Sequence, residues 1–334
     1  MKLIFAGTPA NAARTLEALL TTQHEVVAVL TRPDAPVGRK RVLTPSATAQ
    51  VAEASGIPVF KANRVDEALA AQLAATGAQL GVIVAYGALL KRFALDSLPL
   101  GWVNLHYSLL PDWRGAAPVQ NSVLAGDLDT GVTLFQLDEG MDTGPIFDVV
   151  PTQIQPGETS GRLLERLTEL GISLLGQALP LIEAGLARSV PQPDQVGGFA
   201  DSAIDSANAP ASPVRPAIKP TRELAKIDWN QPAPAIERLV LAMNPEPMAH
   251  TLVGDDGFRI LDAASLGATD WSALTSESES DHNPGSLRIE AKRVLVECGS
   301  GTLLQLKTVQ PAGKNPMPAL DWARGAAGKV THLG

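Results

Sequence analysis

Through the first half of the chain, short and nearly continuous apolar runs alternate with amphipathic stretches. Residues 2–6, 25–30 (with VVAVL at their core), 57–60 and 80–85 (LGVIVA) have strand length and few polar positions, the pattern of strands buried on both faces. Between them lie segments with helical spacing. Residues 11–20 place Leu16, Leu19 and Leu20 on one side, residues 46–55 open on Pro45 and Ser46 and close at Gly56, and residues 66–75 form a third such segment. Regular strand–helix alternation predicts an α/β fold with a doubly wound, mostly parallel sheet and right-handed crossovers. A fifth strand at 101–106, a helix at 116–124 and two further strands at 131–137 and 146–150 extend it. An amphipathic helix then starts at Thr159 or Ser160 and runs toward Glu183. Its leucines at 163, 164, 167, 170, 174 and 175 form a stripe that reads as core.

The pattern changes after residue 190. Residues 191–213, PQPDQVGGFADSAIDSANAPASP, are dominated by Pro, Ala, Ser, Asp and Gly and read as an interdomain linker. Beyond them, short apolar runs at 258–263, 286–289, 294–298 and 303–309 predict a small antiparallel β domain, with a helix at 234–243 before it. The polar stretch 275–284 reads as a loop. The expected organisation is therefore a catalytic domain over 1–190, a linker over 191–213 and a C-terminal β domain over 214–334.

Composition narrows the chemistry. A share of 45% hydrophobic and 19% charged residues in 334 is that of a globular protein, and the aromatic share of 4% leaves Ala, Leu and Val to fill the cores. Cys298 is the single cysteine and the five histidines are scattered, so the sequence offers no intramolecular disulfide and no metal-ligand spacing. No apolar run approaches the ~18 residues that span a bilayer, and a cytoplasmic protein is expected. A net charge of −8 argues against a uniformly basic, nucleic-acid-coating surface. One segment departs from that balance. Residues 31–44 lack apolar periodicity and carry Arg32, Arg39, Lys40 and Arg41 against Asp34 alone. This reads as a long exposed loop, on charge alone a solvated connector.

Candidate chemistry concentrates in residues 102–120, WVNLHYSLLPDWRGAAPVQ, and in Gly140-Met141-Asp142-Thr143-Gly144. Asn104 and His106 stand two apart in a strand and so share one face at its carboxyl end. Pro111 has no backbone donor and biases Leu110 toward extended geometry, so residues 108–111 read as a loop lining a crevice. Taken singly, Asn104 is a local hydrogen-bonding residue, His106 a satisfied core histidine and Asp142 a turn former. Together they form an apparatus for acyl transfer. The amide donates to a developing oxyanion, the imidazole moves a proton, and the carboxylate orients the imidazole, favours its protonated form or receives the proton. No GxGxxG, GxxxxGK[ST] or serine-elbow motif competes with this reading, and Ser108 reads as a loop residue rather than a nucleophile.

Asn104-x-His106-x-Ser108-Leu109-Leu110-Pro111, then Arg114-Gly115-Ala116-Ala117-Pro118, then Gly140-x-Asp142-Thr143-Gly144, resembles the signature of the 10-formyltetrahydrofolate-dependent formyltransferases. Trp113 to Gln120 is most similar to the branch that formylates methionyl-tRNA. Phe5-Ala6-Gly7-Thr8-Pro9, Pro33-Asp34, Gly38-Arg39-Lys40-Arg41, Ala225-Lys226-Ile227-Asp228-Trp229 and Gln310-Pro311-Ala312-Gly313-Lys314 extend the likeness over nearly the whole chain. The resemblance implies a Rossmann-like formyltransferase domain followed by a small OB-like β-barrel that binds tRNA. It implies Asn104, His106 and Asp142 as the catalytic residues and 10-formyltetrahydrofolate as co-substrate, with no metal required. Folate contacts are implied at Ser108, Leu109, Leu110, Pro111, Tyr86, Gly87, Gly140 and Met141. Arg39, Lys40 and Arg41 are implied to meet the acceptor stem of initiator methionyl-tRNA. Neither a membrane nor an obligate protein partner is expected. The alternative acceptor is a small amine, such as an amino sugar or glycinamide ribonucleotide. Tyr107 stands where the family has a smaller residue, which predicts a narrower or differently shaped pocket between His106 and the folate loop.

Overall fold

The computed structural model describes residues 1–38, 40–193, 195–196, 212–266, 283–290, 292–326 and 330–334. In chain order the elements are β1 (Lys2–Gly7), α1 (Ala10–Leu19), β2 (Glu25–Thr31), β3 (Ala35–Val37), β4 (Val42–Thr44), α2 (Ala47–Ala54), β5 (Val59–Lys61), α3 (Glu67–Ala75), β6 (Leu80–Val84), α4 (Arg92–Leu95), β7 (Trp102–His106) and β8 (Arg114–Gly115). There follow α5 (Pro118–Ala125), β9 (Asp129–Gln136), β10 (Ile146–Gln153), α6 (Ser160–Glu183), β11 (Gln195–Val196), β12 (Ser212–Pro213), β13 (Pro216–Ala217) and α7 (Ala233–Ala242). The chain ends with β14 (His250–Val253), β15 (Asp256–Ser265), β16 (Leu287–Glu290), β17 (Arg293–Cys298), β18 (Thr302–Pro311), β19 (Met317–Pro318) and α8 (Ala319–Gly325).

These elements gather into two compact units. The first comprises Met1–Pro118, Asp129–Gln153 and Leu164–Ile218, and the second Val119–Leu128, Ile154–Leu163 and Lys219–Gly334.

A seven-stranded sheet in the order β10-β9-β7-β6-β1-β2-β5 forms the centre of the first unit. The five strands from β7 to β5 run parallel, while β9 is antiparallel to β7 and β10 antiparallel to β9. Because β6 returns beside β1 on the side away from β2, the strand order reverses between β1 and β6. A crevice for ligands opens outside the carboxyl ends at such a point. Just beyond β1 and β6, the Thr8 hydroxyl donates to the Tyr86 carbonyl at 3.2 Å.

Local chemistry explains the helix boundaries. Ser46 caps α2 by accepting from the Ala49 N–H at 3.0 Å, and Asp66 caps α3 by accepting from the Leu69 N–H at 2.9 Å. Gly81 is set by packing: a Cβ there would lie 2.0 Å from the Trp102 ring. With glycine in β6, the fully buried Trp102 ring packs against that position and its indole N–H reaches the Ala94 carbonyl at 2.9 Å.

Residues 31–44 differ from the loop expected. Ala35–Val37 and Val42–Thr44 pair as an antiparallel hairpin, with Val37 opposite Val42. Val37, Val42 and Leu43 are all exposed. A strand pair without a buried face leaves no period-two signature in sequence, so the alternation that betrays other strands is missing here.

The second unit contains an antiparallel sheet in the order β14-β15-β18-β17-β16, with β19 added to β18. The expected antiparallel domain is present, and among the described residues its two end strands do not pair with each other. Its core joins Trp229, Ile236, Val240, Phe258, Ile260, Val296, Leu304 and Leu306, and the Trp322 ring of α8 packs on Phe258 at 4.5 Å. Cys298, on β17, is fully buried in this core, where burial pushes its thiol up to about 12. Most of the stretches 191–213 and 275–284 lie outside the described residues. No described helix is long and apolar enough to cross a membrane.

Candidate active site

Strand β7 carries the first two side chains. Its register sets Asn104 between Ile83 of β6 and Phe135 of β9, and His106 beside Thr133 of β9. Asn104 is half-buried. Its side-chain amide makes no hydrogen bond to the described residues, so its donors remain available to a ligand. His106 is 6% exposed, and the Phe135 ring meets it edge-on at 6.4 Å and 83°.

The imidazole is oriented from both ends. Its Nε2 lies 2.9 Å from the Trp113 carbonyl oxygen. A carbonyl only accepts, so Nε2 carries the proton and Nδ1 is the nitrogen that gains or loses one. Nδ1 faces Asp142 Oδ2 at 3.7 Å. That spacing is too long for a direct hydrogen bond but short enough for Coulomb attraction once the ring is protonated.

Asp142 is held as firmly. It adopts φ 55°, a left-handed conformation that Asp tolerates better than most residues. Its Oδ2 accepts from the Gly115 N–H at 2.8 Å. Asp138 closes the turn ahead of it, accepting from the Gly140 N–H at 3.1 Å and the Thr143 hydroxyl at 2.8 Å. A Cβ on Gly144 would meet the Gln136 carbonyl oxygen at 1.8 Å, so only glycine passes there. The structure thus brings Asn104, His106 and Asp142 to one edge of the sheet.

The residues expected around folate divide into two groups. Ser108, Leu110 and Pro111 are buried and serve the loop itself. Ser108 Oγ donates to the Asp112 carbonyl at 2.6 Å, the Thr133 hydroxyl donates to the Ser108 carbonyl at 2.7 Å, and Leu110 packs with Phe135 and Ile146. The Tyr86 side chain also points into the core, its hydroxyl donating to the Ala62 carbonyl at 2.8 Å. Leu109 is half-buried, Gly87 exposed and Met141 exposed. Of the basic cluster, Lys40 and Arg41 are exposed at the hairpin turn, and Arg39 falls outside the described residues. The hairpin's acidic neighbour is already engaged, since Asp34 pairs with Lys61 at 2.8 Å.

One expectation is corrected. Strand alternation turns Tyr107 to the face opposite His106, where it is buried with its hydroxyl among Asn11, Thr15 and Thr168. Its bulk therefore fills the packing between sheet and helices and does not narrow the space beside His106. Sequence reading also missed the Trp113 carbonyl and the Gly115 N–H, because main-chain partners leave no residue-type signal. Gln192 was missed too, and it donates from Nε2 to the Asp142 and Gly144 carbonyls at 2.8 Å each.

Among the described residues no group of three or more His, Cys, Asp and Glu could hold a metal ion.

Comparison with known proteins places this geometry in a family. The formyl transferase model matches residues 1–179 and the formyl transferase C-terminal domain model matches residues 219–327. A methionyl-tRNA formyltransferase of Arthrobacter sp. (strain FB24) is 47% identical over 326 residues, covering 97% of both chains. That of Clavibacter sepedonicus is 42% identical over 98% of both chains. In fold, the chain is similar to an N-formyltransferase from Helicobacter canadensis solved with folinic acid and dTDP-3-aminofucose. The TM-score is 0.61 at 18% identity, over 93% of this chain and 99% of that one. HypX from Aquifex aeolicus, solved with tetrahydrofolic acid, gives a TM-score of 0.58 at 16% identity, over 98% of this chain and 46% of that one. With an Asn-His-Asp edge on a mostly parallel sheet, and with both domain models and near full-length relatives in agreement, the chain belongs to the formyl transferase family.

Proposed function

We propose that this enzyme transfers the formyl group of 10-formyltetrahydrofolate to the α-amine of methionyl initiator tRNA, giving N-formylmethionyl-tRNA and tetrahydrofolate for translation initiation. The observation that carries the reading is His106 Nδ1 facing Asp142 Oδ2 at 3.7 Å, on the strand face that also presents the Asn104 amide. The acceptor follows from relatives named for methionyl-tRNA at 42–47% identity over nearly their whole length.

An α-amine titrates near ~8, so a useful fraction is neutral at pH 7 and can attack. Its lone pair adds to the formyl carbon, and negative charge gathers on the formyl oxygen. Asn104 donates to that oxygen, and one such donor is worth about 3 kcal/mol of barrier. As the tetrahedral species collapses, the bond from carbon to N10 breaks, the amine nitrogen releases a proton and N10 takes one up. His106 Nδ1, with Asp142 beside it, relays that proton. No covalent enzyme intermediate is needed.

Leu109, Gly87, Gly140 and Met141 contribute folate contacts from the loops around the crevice. Ser108, Leu110, Pro111 and Tyr86 act by shaping the loops and through their main chain. Lys40 and Arg41, with Arg39 between Gly38 and Lys40, meet the acceptor stem. A cytoplasmic setting follows from a substrate that is consumed in translation.

The test is to incubate the purified protein with 10-formyltetrahydrofolate and, separately, methionyl-tRNA, an amino sugar nucleotide or glycinamide ribonucleotide. Formylated methionyl-tRNA is the expected product. Formylation of a small amine without formylation of methionyl-tRNA would discard the reading.

A further inference from the structure

The chain meets the loop at residues 112–115 twice more after α6, at residues 190–192 and again at residues 215–217. Val190 exchanges main-chain hydrogen bonds with Ile146 at 2.7 and 2.8 Å. Gln192 then places its amide between the two loops of the dyad. Nε2 donates to the Asp142 and Gly144 carbonyls, and Oε1 accepts from Arg114 Nε at 3.0 Å and Nη2 at 2.6 Å. An amide has two donor hydrogens and two acceptor lone pairs, and all four are used.

On the return, Arg215 clamps the other side of the same loop. Its N–H donates to Asp112 Oδ1 at 3.1 Å and its Nε to Oδ2 at 2.9 Å. Its carbonyl accepts from the Trp113 N–H at 2.7 Å, and its guanidinium lies 4.2 Å over the Trp113 ring. Asp112 is buried, so its carboxylate depends on these donors, while the Arg215 side chain stays partly exposed. Pro216–Ala217 continues as a parallel partner of Arg114–Gly115. Between the two clamps, Gln195–Val196 pairs with Ser212–Pro213, closing a neck.

Neither Gln192 nor Arg215 reaches the reacting groups through its side chain. Each holds main chain that does. The Trp113 carbonyl fixes His106 Nε2, the Gly115 N–H fixes Asp142 Oδ2, and the Asp142 carbonyl itself is tied to Gln192. We propose that Gln192 and Arg215 are positioning residues. The two ends of the segment between the family's domain matches form a strap that sets the distance and angle between His106 and Asp142. This rests on the formyl-transfer reading above. A passive connector would need neither a saturated amide nor a buried carboxylate met by an arginine at its ends.

The experiment uses the full chain with Gln192→Ala, Gln192→Glu, Arg215→Ala and Arg215→Lys. For each, kcat, the KM for both substrates, the pH profile of kcat, the Tm and the ring ¹⁵N signals of His106 are measured. Misplacing a reacting group by about 1 Å costs on the order of a hundredfold. Gln192→Ala and Arg215→Ala are therefore expected to lower kcat by about ten- to a hundredfold, with both KM values nearly unchanged. The pH profile is displaced and the His106 ring loses its single Nε2-protonated tautomer. Gln192→Glu fails similarly without loss of volume, because a carboxylate cannot donate to two carbonyls. Arg215→Lys recovers only part, keeping the charge without the paired donors.

Wild-type kcat, pH profile and ring signals in a folded Gln192→Ala and Arg215→Ala would overturn the proposal. So would a loss of activity that tracks Tm while the pH profile and ring signals of the folded fraction stay unchanged. Should the wild-type protein formylate no methionyl-tRNA, the activity reading fails on its own. The tautomer signature then still decides whether these residues position the dyad.

Discussion

Two loops of the first unit are built on opposite principles. The loop at residues 108–115 is buried over much of its length and over-determined. Ser108, Leu110, Asp112, Trp113 and Gly115 each make hydrogen bonds to fixed partners. The hairpin of β3 and β4 presents Val37, Val42 and Leu43 at 57%, 59% and 67% exposure and is anchored mainly at its base, by Asp34 on Lys61. Chemistry at a single carbonyl carbon rewards groups fixed before the substrate arrives. Engaging a long charged polymer rewards cations kept in solvent, where they steer the approach and adjust on contact. One sheet thus supports both a rigid edge and an unsupported arm.

Substitutions should separate the two loops by which kinetic constant they move. His106→Ala is expected to lower kcat by about 10²–10⁴-fold with the Tm retained. A change in KM alone, measured by steady-state formylation, would make the rigid edge a binding surface. Asn104→Ala should cost about 10²–10³-fold in kcat, read in the same assay.

A matched glycine pair sharpens the contrast. Gly144→Ala must displace the Asp142 turn or the Gln136 carbonyl, whereas Gly38, at φ 70° in the hairpin, has nothing within 4 Å of a new Cβ. The first should cost about 1–3 kcal/mol of stability by overpacking and lower kcat as well. The second should cost about 1 kcal/mol from backbone strain and leave kcat at saturating tRNA unchanged. Thermal unfolding with paired kinetics checks both.

Lys40→Ala and Arg41→Ala should weaken methionyl-tRNA binding and flatten its log–log salt dependence by roughly one unit per lost phosphate contact. An unaltered slope would take the arm out of the RNA interface. The smallest effect belongs to Tyr107→Phe, for which turnover should stay at the wild-type value because that ring faces away from His106.

Much of this organisation was legible in the residues, for identifiable reasons. Buried parallel strands announce themselves as apolar runs, and Ser46 and Asp66 mark helix starts because their side chains satisfy open N–H groups. Asn104 and His106 were readable as a pair because a strand has a fixed period. What escaped lacks such a code. The hairpin buries no face, and the Trp113 and Gly115 main-chain groups are common to every residue type. Gln192 is the instructive case. It sits at the head of a stretch whose composition reads as linker, and only the folded path brings its amide beside Asp142.

The solitary thiol of Cys298 lies sealed in the second unit's core and, with burial holding it at about 12, is almost never ionised near neutrality. Alkylating dyes will pass over it while the protein is folded. A cysteine introduced at Val37, on the open arm, would then be the one exposed thiol in the molecule. A single fluorophore or spin label placed there would report whether the arm meets added RNA, in a background that nature has already cleared.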